Sequence, residues 1–184
     1  VLPVGFENPN ANYRFVGFEG ADSAIEMNPD QSGENTSATV MRTTKNVDAQ
    51  FFAGTSVELD EPIDLSNTGK IVFSSWSPKA NIPVRIQLED AANTEGNRIF
   101  LDVNTTVASA WETLEADFSA LQNASADYVR IVIFYEFVEE LPGDTRHEQQ
   151  RYEGGDRGEH GEHDGSPHFP HPRDGRLAPF SPFA

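Results

Sequence analysis

The chain has 184 residues, with 30 Asp and Glu against 13 Lys and Arg, a net charge of −17, and no cysteine. So acidic a balance excludes a nucleic-acid partner, whose phosphates reward Lys and Arg, and disfavours an anionic membrane surface. The lack of cysteine rules out a disulfide framework, Cys-ligated zinc and thiol catalysis together. No apolar run approaches the ~20 residues that span a bilayer, so membrane insertion is not expected. The chain opens at Val1 with neither Met nor a basic-then-apolar leader, which points to a mature or excised segment.

In chain order, the first strands are expected over Ala38 to Thr44 and Ser56 to Leu59. Ile71-Val72-Phe73-Ser74-Ser75-Trp76-Ser77 follows and is closed by Pro78. Val84 to Glu89 alternates strictly, with Val84, Ile86 and Leu88 on one face and Arg85, Gln87 and Glu89 on the other. A turn from Asn93 to Asn97 leads into Arg98 to Val103. Trp111 to Phe118 also alternates, setting Trp111, Thr113 and Glu115 opposite Leu114, Ala116 and Phe118. Tyr128 to Phe137 is nearly continuous in apolar residues, as a central strand covered on both faces should be. Phe118 to Ala126 has room for one short turn, and no long amphipathic helix is present. Short strands with Pro and turn residues between them predict an all-β fold, a jelly-roll β-sandwich.

All five His, half of the twelve Pro and half of the fourteen Gly fall after residue 140. There neither period 2 nor period 3.6 is visible, and runs such as Glu153 to His163 bury too little apolar surface to offset backbone entropy. Residues 1–144 are therefore expected to form the sandwich, and 145–184 an irregular, low-complexity tail rich in His, Gly and Pro. Leu177 to Phe183 is its one apolar patch.

Catalytic patterns are missing from the body. No histidine precedes His147, which removes a Ser-His-Asp triad, and there is no nucleophile elbow, P-loop or dinucleotide fingerprint. The carboxylates are spread along the chain as on a solvated acidic surface, so the chain is not expected to be an enzyme. The tail places imidazoles three apart at His160 and His163 and again at His168 and His171, a pattern for weak metal binding or simply for a solvated tract. The loop Asn28 to Asn35 is rich in hard oxygen ligands and, with Glu7, suits calcium.

Aromatic and polar residues offer another chemistry. A sugar needs an aromatic plane for its C–H face and polar groups for its hydroxyls. Trp76, with Phe51, Phe52, Tyr135 and Phe137 as further rings and Arg85 and Gln87 as polar partners, meets that need. Core packing is the competing reading for Trp76, and it is the preferred one for Trp111, Phe118 and Phe100.

Several phrases taken together resemble a known family. They are Phe6-Glu7, Phe18-Glu19-Gly20-Ala21, Asn28 to Ser37, Ala53-Gly54, Leu59 to Ser66, Trp76 to Ala80, Leu88-Glu89-Asp90, Thr105 to Ala108, Trp111 to Leu114, Asp117-Phe118-Ser119 and Pro142-Gly143-Asp144. In this order residues 1–144 resemble the carbohydrate-binding jelly-roll modules, of galactose-binding-like type, attached to secreted bacterial polysaccharide-degrading enzymes and surface proteins. The resemblance implies a non-catalytic, secreted or cell-surface module that recognises a polysaccharide. It also implies a structural calcium near Glu7 and the Asp30 loop. Phe52-Ala53-Gly54 stands where the family has Trp-Ala-Gly, and Thr145 to Arg151 stands where it has a closing strand. A sheet lacking that strand invites self-association through one donated by a neighbouring subunit, with Val1 to Phe6 or Ala178 to Phe183 as donor. The alternative function is therefore a structural subunit of an extracellular filament or surface matrix built by strand complementation.

Overall fold

The computed structural model describes residues 4–66, 69–121 and 126–138, together with the backbone of Arg173–Ser181. Ten strands are present: β1 Phe15–Phe18, β2 Ala21–Met27, β3 Thr39–Lys45, β4 Gly54–Glu58, β5 Lys70–Ser77, β6 Pro83–Asp90, β7 Ile99–Asn104, β8 Ala110–Asp117, β9 Tyr128–Tyr135 and β10 Arg173–Ser181. They form two five-stranded sheets, β2-β3-β10-β5-β8 and β1-β4-β9-β6-β7, hereafter the first and second sheets. All pairings among the described strands are antiparallel. The fold is an all-β jelly-roll sandwich.

Alternation decides what fills the space between the sheets. Met41, Ile71, Phe73 and Leu114 come from the first sheet, and Val57, Val84, Ile86, Leu88, Ile131 and Ile133 from the second. Phe6 and Phe118, from outside the strands, join the same cluster. Each fully buried aliphatic side chain contributes ~1.5–3 kcal/mol, which is why strict period 2 in Val84 to Glu89 marks a strand so clearly. As a strand covered on both faces, β9 sits at the centre of the second sheet.

Two strands carry no usable period. The β1–β2 corner turns on Glu19 and Gly20, both in the left-handed region at φ 54° and 94°. A Cβ on Gly20 would lie 2.7 Å from the Ala49 Cα, so that turn also needs the space. Ala21–Met27 is an edge strand with mostly solvated side chains, which leaves no alternation to read.

The third unpredicted strand corrects the expectation of an irregular tail for nine residues. Arg173–Ser181 lies in the middle of the first sheet, between β3 and β5. It pairs Arg173 to Leu177 with Lys45 to Met41, and Arg176, Leu177, Phe180 and Ser181 with Trp76, Ser75, Phe73 and Val72. The register on the β5 side shifts between Leu177 and Phe180, around Pro179, which has no N–H to donate. Gly175 and Pro179 conceal the strand from a propensity argument; the two neighbouring edges define it. The place between β3 and β5 is thus filled by the chain's own segment. This overlaps the expected donor Ala178 to Phe183, but arrives from the same chain. Of the other expected donor, Val1 to Pro3 lie outside the described residues and Phe6 is a core side chain. The His tract from His160 to His171 also lies outside the described residues.

Candidate functional site

The outer face of the second sheet carries three rows of side chains, each running across the strands. In the first, Phe18 is opposite Gly54, Phe134 opposite Arg85, and Arg85 opposite Asp102. The second runs Val16, Ser56, Val132, Gln87 and Phe100. The third runs Glu58, Arg130 and Glu89. Directly opposed side chains in a sheet touch, so each row is a contact line rather than a list of neighbours.

Gly54 makes the first row possible. A Cβ there would come within 2.4 Å of the Ile133 carbonyl oxygen and 3.0 Å of Phe134 Cδ1. Without it, the Phe18 ring reaches across to Phe134 edge-on, at 5.7 Å between centroids. Phe134 then meets Phe137 at 5.3 Å, Phe137 meets Phe51 at 5.4 Å, and Phe51 meets Phe52 at 5.0 Å. All are edge-to-face or nearly so, the geometry that aromatic quadrupoles prefer.

Arg85 ties this band to the polar side. Its guanidinium carbon lies 3.7 Å from the Phe137 ring centroid and 4.2 Å from that of Phe100. Nε and Nη2 donate to the two carboxylate oxygens of Asp102 at 2.7 and 2.8 Å. The side chain is held in place by the fork and both rings, and only 16% of it is exposed. Gln87 Nε2 donates to Glu89 Oε1 at 2.6 Å, and Arg130 donates to Glu89 at 3.0 Å and to Glu58 at 2.9 Å. The Arg130 guanidinium, by hydrogen bond and charge, holds the Glu58 carboxyl below its ordinary range. Phe100 is 47% exposed and Phe51 36%, so two aromatic planes stay open to solvent beside a fixed polar row.

The residues expected to form one sugar platform are therefore divided. Arg85 and Gln87 share the outer face of the second sheet, and Phe52 lies half-buried at the end of the aromatic band. Trp76 is on the outer face of the first sheet, opposite Trp111 across β5 and β8, packed against Val40 and Trp111. Consecutive strands β5 and β6 belong to different sheets, so nearness in sequence does not place Trp76 beside Arg85. Tyr135 is corrected outright. It points into the sandwich, only 4% exposed, and its hydroxyl shares a 2.8 Å hydrogen bond with Ser75 Oγ. Burial pushes its phenol well above the usual range.

Phe51 and Phe137, expected as platform rings, lie in the band, and three rings absent from the expected set, Phe18, Phe100 and Phe134, belong to it as well. Core packing is the expected role of Phe100, yet its strand turns Phe100 and Asp102 outward against Ile99, Leu101 and Val103 in contact with the core. Period 2 was enough to find it.

Trp111 is buried, as expected, beneath the loop that follows β2. Its Nε1 donates to Asn28 Oδ1 at 2.9 Å and to the Asp30 carbonyl at 2.8 Å. Beside that loop, Glu7 Oε1 accepts from the Ala38 amide at 2.5 Å, and the Ala38 carbonyl accepts from the Asn28 amide at 2.9 Å. Asp30 accepts from the Ser32 amide and hydroxyl, which hold its carboxylate below the ordinary range. Glu7 and Asn28, at the start of the Asp30 loop, thus both bond Ala38, whereas the Asp30 carboxylate turns to Ser32. Among the described residues, no group of three or more His, Cys, Asp or Glu stands ready for a metal, so backbone and water oxygens would have to complete a shell. No helix among the described residues is long and apolar enough to cross a membrane.

No protein-family model and no curated protein matches the chain. Solved structures do. One is a family 11 carbohydrate-binding module from Clostridium thermocellum in complex with a β-1,3-1,4-mixed-linked tetrasaccharide, at TM-score 0.52 and 16% identity over 96% of this chain and 91% of that one. A second is the CBM22-2 xylan-binding domain from Paenibacillus barcinonensis, at TM-score 0.52 and 11% identity over 95% and 92%. A third is an exo-β-agarase, at TM-score 0.57 and 9% identity, where 98% of this chain covers 25% of that one. The chain thus has the jelly-roll β-sandwich fold of carbohydrate-binding modules.

Proposed function

We propose that the chain is a non-catalytic, extracellular carbohydrate-binding module that holds a polysaccharide on the outer face of its second sheet. The observation that carries this reading is Arg85, fixed between Phe100 and Phe137 and forked onto Asp102, next to two solvent-open rings. Phe100 and Phe51 offer planes for sugar C–H faces; Asp102, Gln87 and Ser56 offer acceptors and donors for hydroxyls. Because Arg85 and Arg130 are already matched by Asp102, Glu58 and Glu89, the face suits a neutral glycan better than an anionic one. The mixed-linkage tetrasaccharide and xylan named for the two module neighbours support β-linked glycans as the first probes. Secretion or cell-surface display accords with a ligand of that kind.

The proposal includes a structural calcium at Glu7 and the Asp30 loop, supported by the contact that Glu7 and Asn28 share with Ala38. The filament alternative requires an empty place in the first sheet; β10 occupies that place, and no other observation favours a filament.

Affinity electrophoresis against mixed-linkage β-glucan, xylan, agar and an anionic control such as alginate tests the reading. Retention by at least one neutral glycan, with none by alginate, is expected. Free migration through every gel, with no heat of binding to the matching oligosaccharides, would overturn it.

A further inference from the structure

One lysine lies buried among the inward side chains of the first sheet. Lys45 closes β3, two residues after Thr43, whose hydroxyl shares a 2.6 Å hydrogen bond with Thr55 inside the sandwich. Only 5% of Lys45 is exposed. A buried amine loses its hydration, so it persists only where acceptors meet its N–H groups. Here three carbonyls accept from Nζ: Phe51 at 2.6 Å, Tyr135 at 3.1 Å and Glu136 at 3.3 Å. Hydrogen bonds from an ammonium are about twice as strong as neutral ones, and a dry site strengthens them further.

Those carbonyls belong to the two segments that complete the aromatic band. Phe51 lies in the connection between β3 and β4, and Phe137 follows Glu136 after β9 ends at Tyr135. Their rings meet at 5.4 Å, and the Arg85 guanidinium packs on Phe137 at 3.7 Å. Neither segment has a sheet ladder to hold it, and the Phe137 amide reaches the Pro83 carbonyl only at 3.4 Å. Glu136 adopts φ 51°, a left-handed conformation that costs energy for a residue with a side chain. Two lysines hold it there. Lys45 donates to its carbonyl, and Lys79 to its carboxylate at 2.6 Å. The Lys79 side chain is half-exposed, whereas that of Glu136 is mostly buried.

We propose that Lys45, seconded by Lys79, is the positioning residue of the sugar face. From inside the sandwich its ammonium ties the Phe51 and Glu136 carbonyls to one point. That tie sets the spacing of the Phe51 and Phe137 rings, and with it the seat of Arg85 between Phe137 and Phe100. Lys45 acts through the rings, from beneath the face. The inference rests on the glycan reading for its effect on affinity, and on the carbonyl contacts alone for its effect on the two segments.

Lys45→Met keeps an apolar stem and removes the donors. Isothermal titration with the oligosaccharide that wild type binds best should give a Kd roughly 5–50-fold weaker, because the ligand itself must then order two ring-bearing segments. In a Phe51→Ala background the same substitution should cost clearly less, since one of the two rings is gone. An equal loss in both backgrounds would assign Lys45 to general stability and overturn the proposal. Lys79→Met, at a half-exposed position, should weaken binding about 2–5-fold and decides the matter if Lys45→Met does not fold. Lys70→Met removes the same charge beside Glu115 on the first sheet and should stay within about twofold of wild type. Amide exchange without sugar separates the clamp from the glycan reading. The Phe137 and Ala53 amides should exchange at least ~10-fold faster in Lys45→Met, and Phe137 alone in Lys79→Met, with Ile131 unchanged. That pattern in a chain that binds no glycan would refute the glycan reading and uphold the clamp. Exchange at Phe137 as slow as in wild type, in either folded variant, would overturn the clamp itself.

Discussion

Replacing Gly54 by Ala tests whether the aromatic band depends on a missing side chain. The new Cβ would sit 2.4 Å from the Ile133 carbonyl oxygen and 3.0 Å from Phe134 Cδ1, and the first of these is backbone that cannot swing away. The β4 and β9 strands must move apart by roughly an ångström in the middle of the second sheet. Forced overpacking of this kind costs ~1–3 kcal/mol, and for a body of this size each kcal/mol lowers Tm by ~2–4 °C. A fall of about 2–12 °C is therefore expected in a calorimetric or circular-dichroism melt. Gly96→Ala is the control, since nothing lies within 4 Å of a Cβ there and its φ is ordinary; it should stay within ~0.5 kcal/mol of wild type. Phe18 should also lose its edge-on contact with Phe134, which weakens glycan retention together with stability. If Gly54→Ala melts with Gly96→Ala, the close approach is not a constraint and the reasoning about the first row fails.

Further expectations follow from buried polar groups. Trp111→Phe keeps the ring but leaves Asn28 Oδ1 and the Asp30 carbonyl without the indole donor, at a cost of ~1–3 kcal/mol. Amide exchange in residues 28–37 should quicken, and unchanged exchange would dissociate the loop from Trp111. Tyr135 has its phenol pKa raised in the folded state, so its contribution to stability is complete below the unfolded value of ~10 and is lost as pH rises through and beyond it. Denaturant midpoints should therefore fall above pH ~10, and Tyr135→Phe should flatten that decline; an unaltered slope would assign it elsewhere. Millimolar Ca²⁺ should raise Tm and EDTA should reverse it, since an ion held only by the native state stabilises it. A Glu7→Gln variant should lose the response, and no shift in the wild type removes the proposed ion.

How far the sequence speaks depends on what each strand touches. β6 and β8 alternate between core and solvent, so the period alone places Val84 to Glu89 and Trp111 to Asp117 and identifies Arg85 and Gln87 as outward. β2 is an edge strand with little burial, and β10 takes its conformation from two neighbours, so neither has a signal of its own. The candidate face is half legible for a related reason. Facing direction is local and follows from alternation, whereas membership of a sheet is a matter of crossover. Thus alternation turns Arg85 outward on its strand, but cannot show that Trp76 lies on the opposite sheet. Tyr135 shows a similar limit, because a continuous apolar run hides which of its residues point inward.

The central claim is that sugar lies on the outer face of the second sheet. It is tested most directly by isothermal titration of wild type, Phe100→Ala and Trp76→Ala with oligosaccharides of the glycan that retains the chain best. Phe100 is 47% exposed, and covering that surface with a sugar ring is worth ~1–2 kcal/mol. Phe100→Ala is therefore predicted to weaken binding by about 5–30-fold, with Trp76→Ala within about twofold of wild type. Full affinity in Phe100→Ala together with lost affinity in Trp76→Ala would place the ligand on the first sheet and contradict the account.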